Sequence, residues 1–149
     1  MKKILALTAF VLCLVACKKE GKGYTVEDLG STAWKAQIVK DTESESSNYQ
    51  CTIQLWEDGK ADLIQSYSPK LVLDSKAIIL MIDNLSGTWT LSKGKLKVML
   101  DKQEEGNVTD LPWNLTGTFL DTPSSDEQRM TMSIPGRGSV IFTRSKLTK

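Results

Sequence analysis

The chain has 149 residues, a quarter of them charged, with 19 Lys and Arg against 18 Asp and Glu and no His. Without His the commonest metal ligand and the side chain that titrates near neutral pH are both missing, which excludes His-based zinc sites and Ser-His-Asp triads. The near-even charge balance, with no long Lys/Arg block, argues against nucleic acid as a partner.

Met1-Lys2-Lys3 opens the chain, an apolar run fills residues 4–16, and Lys18, Lys19 and Glu20 follow Cys17. A basic start, about 7 to 15 apolar residues and a small residue before the cut are the parts of a secretory signal. Crossing the hydrocarbon core takes about 20 apolar residues, more than this run offers, so residues 1–16 are expected to be removed. Leu14-Val15-Ala16-Cys17 resembles the lipobox of bacterial lipoproteins, whereas Cys13 follows Leu12, which is not small. The resemblance implies cleavage before Cys17, diacylglycerol on its sulfur, an acylated amine, and hence a membrane as partner. Burying acyl chains contributes about 0.8 kcal/mol per CH₂, and more than one chain makes the anchoring stable. Neither an Asp nor a run of acids follows Cys17, so by analogy the protein is placed in the cell envelope, on the periplasmic face of the outer membrane.

Cleavage takes Lys2 and Lys3 with it and leaves 133 residues carrying 17 basic and 18 acidic side chains. Residues 17–23 form the lipidated Cys and a Lys/Gly tether, of which residues 18–23 reach at most about 20 Å at roughly 3.3 Å each. Residues 24–149 are expected to fold as one domain, because no repeat or composition shift divides them. Cys51 is then the remaining thiol, with no internal disulfide open to it, and its place in an alternating run predicts a small, buried, apolar role.

Thr25-Val26-Glu27-Asp28 can open a helical turn, with Thr25 as N-cap, Asp28 as the capping acid and Gly30 as the stop. Beyond it, period two dominates and predicts half-buried antiparallel strands. Trp34, Ala36 and Ile38 mark the first strand. Cys51, Ile53 and Leu55 mark the second, which Glu57-Asp58-Gly59-Lys60 joins to residues 61–67 as a hairpin. Residues 77–82 read as a buried strand on the strength of Ile78, Ile79 and Ile82. A second hairpin joins residues 88–91 to 95–101 through Ser92-Lys93-Gly94, with Leu96, Val98 and Leu100 inward. Residues 113–119 and 130–134 follow, and Pro135-Gly136-Arg137-Gly138 turns into a last strand over 139–144. Residues 41–48 and 102–107 read as polar loops at the ends. The total of about nine short strands predicts an all-β, antiparallel up-and-down barrel or a sandwich.

Thr32-Ala33-Trp34-Lys35, Leu55-Trp56-Glu57-Asp58-Gly59-Lys60, Gly87-Thr88-Trp89-Thr90-Leu91 and Val140-Ile141-Phe142-Thr143-Arg144 resemble the small lipocalin-like lipoproteins common in Bacteroidota. Lipocalins open with Gly-x-Trp on the first strand; here Thr32 holds the Gly position, Trp34 keeps the Trp, and a full Gly87-x-Trp89 stands mid-chain. The resemblance implies a small lipocalin-like barrel of about eight to nine strands that binds a small molecule. It further implies that Arg144 on the last strand lies over Trp34 to close one end of the barrel.

Glu104-Glu105 and Asp126-Glu127 are adjacent carboxylates that diverge on strand or loop and read as solvated charge, not as an acid/base pair. Asp41, Glu43 and Glu45 lack the Gly and closing Glu of a calcium loop. Gly136-Arg137-Gly138 lacks the strand-to-helix context of a phosphate loop and reads as hairpin punctuation. No catalytic residue, metal site or cofactor is therefore expected. Trp34, Trp89, Trp113, Phe119, Met130, Met132 and Phe142 either fill the core or line a pocket for a small apolar or amphipathic ligand, since a barrel of eight strands has room for one at most. Trp56 and Tyr67 read as outward-facing and raise the alternative of an interaction module contacting an envelope protein.

Overall fold

The computed structural model describes residues 23–42, 45–67 and 81–145, with residues 39–42 and 45–48 in backbone only. The signal segment, Cys17, the tether up to residue 22 and residues 77–80 of the expected fourth strand lie outside the described residues.

A single helical turn, α1 (Val26–Leu29), comes first. Thr25 caps it: its hydroxyl accepts from Asp28 N at 3.2 Å, while Asp28 Oδ2 accepts from Thr25 N at 2.8 Å. These bonds hold the Asp28 carboxyl below its ordinary range. Two orphan donors are satisfied reciprocally, which is what a turn too short to propagate requires. Gly30 ends it by donating to Val26 O at 2.9 Å, and Leu29 points inward with none of its surface exposed.

Eight strands follow: β1 (Thr32–Thr42), β2 (Glu45–Leu55), β3 (Lys60–Tyr67), β4 (Met81–Ser92), β5 (Lys95–Glu105), β6 (Trp113–Phe119), β7 (Arg129–Ile134) and β8 (Gly138–Ser145). Each pairs antiparallel with the next, and β8 returns to β1, so the sheet closes as an up-and-down barrel without a free edge. The expected all-β barrel is thus the observed one.

Inward positions alternate as the sequence predicts. Leu96, Val98 and Leu100 of β5, Met130, Met132 and Ile134 of β7, and Val140 and Phe142 of β8 are buried, and Lys95, Lys97 and Asp101 face water. The turn at Asp58-Gly59 forms with Gly59 at a φ of 83°, and Lys93 and Gly94 both take positive φ between β4 and β5. Positive φ at both central residues suits a two-residue hairpin loop.

Three expectations are corrected. The runs over 77–82 and 88–91, read as separate strands, contribute to the single strand β4 within the described residues, which reduces nine strands to eight. Register shifts between Asn84 and Leu85 and between Ser86 and Gly87 mark bulges in the pairing with β5, while β4 itself keeps Asp83, Leu85 and Trp89 in one inward phase. A Cβ on Gly87 would run into the Met99 carbonyl, so glycine lets β4 and β5 close up at this bulge. Residues 41–48 and 102–107, read as end loops, are largely ladder: β1 and β2 pair out to Thr42 and Glu45, and β5 continues to Glu105. Backbone pairing does not need apolar side chains where strands project past the core. Tyr67, read as outward, shares the inward phase of Leu63 and packs on the core.

The strand directions define two ends. One, formed by α1 and the β2–β3, β4–β5 and β6–β7 connections, is closed by Tyr24, Leu29, Trp34 and Phe119. The Tyr24 and Phe119 rings stack at 4.0 Å, and each lies against Trp34 at 6.2 and 5.8 Å. The β6–β7 connection is fastened there by Arg129, whose Nε and Nη2 donate to Asp121 at 2.9 and 3.1 Å. These bonds hold the Asp121 carboxyl below its ordinary range, so the stability it contributes is present above that range and lost as pH falls through the lowered value. Asp121→Asn is therefore expected to lower the melting temperature at pH 7, with the gap to wild type closing below about pH 4 in thermal scans. A gap unchanged down to pH 2 would show that the carboxylate charge is irrelevant.

Cys51 is buried, as its place in the alternation predicts, and desolvation pushes its thiol up to about 12. A thiol reagent at pH 8 is expected to label it only at the rate of unfolding. Labelling as fast as a free thiol would contradict this.

Candidate functional site

The residues singled out as core or pocket lie mostly in solid packing. Trp34, Met130 and Phe142 have no exposed surface, and Met132, Trp89 and Trp113 have 1%, 5% and 6%. A Cβ added at Gly117 would lie 3.1 Å from both Met130 Sδ and Met132 Cε and 3.2 Å from Leu96 Cβ, so β5, β6 and β7 leave no spare methyl-sized space there. Trp34 Nε1 donates to Thr32 Oγ1 at 3.0 Å, and that hydroxyl donates to Leu29 O at 2.7 Å. Thr32, standing where the lipocalin pattern has Gly, thereby ties the first-strand Trp to α1. Trp89 Nε1 donates to Trp56 O at 2.8 Å beside the β2–β3 turn.

Arg144 is the cross-strand register partner of Trp34. Its Nη1 donates to Gln128 Oε1 at 2.7 Å, and its backbone N to Gln128 O at 2.8 Å. The same Gln128 oxygen accepts from Tyr24 at 3.3 Å, so Arg144 tightens the closed end through Gln128.

The opposite end, the mouth, is polar. Tyr49 donates its hydroxyl to Gln65 Oε1 at 2.9 Å, Gln65 Nε2 donates to Asp83 Oδ2 at 2.8 Å, and Asn107 N donates to Asp83 Oδ1 at 3.2 Å. All three side chains of this relay are buried, Asp83 to 3% exposure. Asp83 stands on the inward phase of β4, where an apolar residue would be expected. Gly106, with φ 107°, lets the chain after β5 fold onto Asp83, since any Cβ there would strike the carboxylate.

Arg137 reaches across from the β7–β8 turn, flanked by Gly136 and Gly138 at φ 74° and 77°. Its Cζ lies 4.6 Å from the ring centroids of Tyr49 and of Tyr67, which face each other across β2 and β3. Each cation–π contact is worth about 0.5 to 2 kcal/mol, increasing with desolvation. Among the described residues the guanidinium makes no hydrogen bond or ion pair. Burial raises both phenols, with Asp83 adding to the effect, so both rings are neutral and present unmodified π faces.

Beneath Arg137 lies a hollow of about 260 Å³, bordered by Gln65, Tyr67, Asp83, Asp110 and Trp113. Trp113 Nε1 donates to Asp110 Oδ1 at 3.1 Å. Of the seven expected pocket residues, Trp113 is the one that borders this hollow. Tyr49, Gln65, Asp83 and Arg137 were not anticipated, although the inward phase of Gln65 and Asp83 was a readable signal. Among the described residues no group of three Cys, Asp or Glu is placed to hold a metal ion, and no helix is long and apolar enough to cross a membrane. No family model matches the chain, and no curated protein is significantly similar to it.

Proposed function

We propose that the protein is a non-enzymatic, lipid-anchored envelope barrel, held through Cys17, that binds a small amphipathic molecule at its mouth. The observation that carries this is the buried Tyr49–Gln65–Asp83 relay opening on a hollow beneath Arg137, at the end of a barrel otherwise filled by apolar packing. Ordinary ligand sites measure about 300–1,000 Å³, so a hollow of this size takes a compact molecule or the head of a longer one. The described residues begin at Gly23, beside α1 at the closed end, so a membrane anchor on Cys17 would approach the barrel from the end opposite the mouth.

A second reading, contact with an envelope protein, is favoured by Ile64 and Ile82, 40% and 38% exposed on the outer wall. Ile64 pairs with Asn84 and Ser66 with Ile82, so the two isoleucines are diagonal neighbours.

Native mass spectrometry of the full-length protein extracted in mild detergent separates the two. The first reading expects Cys17 carrying diacylglycerol and an acylated amine, and a retained small molecule that is lost in Asp83→Ala. A ligand-free protein that instead co-purifies with a stoichiometric partner, released by Ile64→Asp, would replace it with the second.

A further inference from the structure

We infer that the mouth is a receptor for an organic cation, an ammonium or guanidinium on a short apolar stem, and that Arg137 is its built-in competitor. This rests on the mouth being a binding site and names the chemistry it selects. Two tyrosine faces converge on one point, and that point is occupied by a guanidinium carbon at 4.6 Å from both. Paired aromatic faces are how proteins recognise organic cations, through the negative potential of the rings.

The charges agree. The hollow is bordered by the carboxylates of Asp83 and Asp110, and Arg137 is its one basic side chain among the described residues. With Arg137 in place the lining carries two acids and one base; with Arg137 displaced, the two acids remain. An anion would enter against Asp83 and Asp110, whereas a cation that replaces Arg137 keeps the balance.

Arg137 is also built to be displaced. No hydrogen bond or ion pair among the described residues holds its guanidinium, and it is flanked by two glycines, whose backbone is the least restricted of any residue. A ligand offering the same charge to the same rings competes with Arg137 once its concentration outweighs the effective concentration of the tethered side chain. Its affinity is reduced by the fraction of molecules in which Arg137 is seated.

The test is calorimetric titration of the full-length protein in discs of zwitterionic lipid, with empty discs subtracted, using hexylguanidinium, hexanoate and hexanol. Hexylguanidinium is expected to bind and the other two not. Arg137→Ala and Arg137→Gln should each tighten it by roughly tenfold, Arg137→Lys should leave it near wild type, and Tyr67→Leu should weaken it by roughly tenfold. Melting temperatures confirm that each variant is folded, and the Gln variant keeps the side-chain length should the Ala variant unfold. Hexanoate binding that disappears in Arg137→Gln would make Arg137 an anion receptor and overturn the inference while sparing the mouth as a site. Cation affinity unchanged in both Arg137→Ala and Arg137→Gln would overturn it equally. If no probe binds and the extracted protein retains no small molecule, the binding function falls with it.

Discussion

Trp34→Ala is expected to lower the unfolding free energy by about 3 to 5 kcal/mol, the range for deleting a large aromatic from a packed core. Trp34 has no exposed surface and stands where β1 meets β8, with Tyr24 and Phe119 against its ring. Its indole N–H also donates to the Thr32 hydroxyl, so the substitution removes that bond as well as leaving a void. Domains of this size have about 5 to 15 kcal/mol in all, so the variant should be marginal at 37 °C. Urea denaturation followed by far-UV circular dichroism measures the loss. A cost under about 1 kcal/mol would mean that the closed end is not part of the cooperative unit.

Asp83→Ala should have the second largest effect, about 2 to 5 kcal/mol. It leaves Gln65 Nε2 without an acceptor in a buried place and Asn107 N without one at a part-buried site, and an orphaned buried donor costs about 1 to 3 kcal/mol. Asp83→Asn keeps one carbonyl oxygen but turns an NH₂ towards the other donor, so its cost should fall between wild type and Ala. Equal stability of wild type and Asp83→Ala in the same urea series would show that water satisfies the relay equally well.

The barrel was largely legible because alternation is a direct consequence of the strand's two-residue period: β7 places its apolar residues on one face, and β5 and β8 depart from this only at outward Met99 and Ile141. The Asp58-Gly59 turn was legible for a local reason too, since glycine is the residue that takes positive φ without a steric penalty. β4 was less legible, because Asp83 and Gly87 interrupt its apolar alternation and an inward carboxylate looks like a loop residue until its partner is known. The mouth was the least legible part. Arg137 meets Tyr49 and Tyr67 only because barrel closure brings the β7–β8 turn across from β2 and β3, and no local pattern encodes a contact between such distant segments. The aromatic and Met residues that stood out in the sequence did so for their size, and size is what a filled core uses.

The closed end and the mouth divide the molecule's tasks. Apolar packing, the capping box of α1 and the Asp121–Arg129 pair secure the end at which the described residues begin. Polar groups unsuited to simple packing are gathered at the other end, where a ligand can reach them.

The most direct test of a filled barrel with the proposed polar receptor at its mouth is nuclear magnetic resonance of the protein before and after removal of any small molecule that co-purifies with it. Chemical-shift changes centred on Gln65, Tyr67, Asp83 and Arg137, with the Met130 and Met132 methyls unmoved, are the predicted result. Changes centred on Met130, Met132 and Phe142 would place the ligand inside the barrel and contradict it.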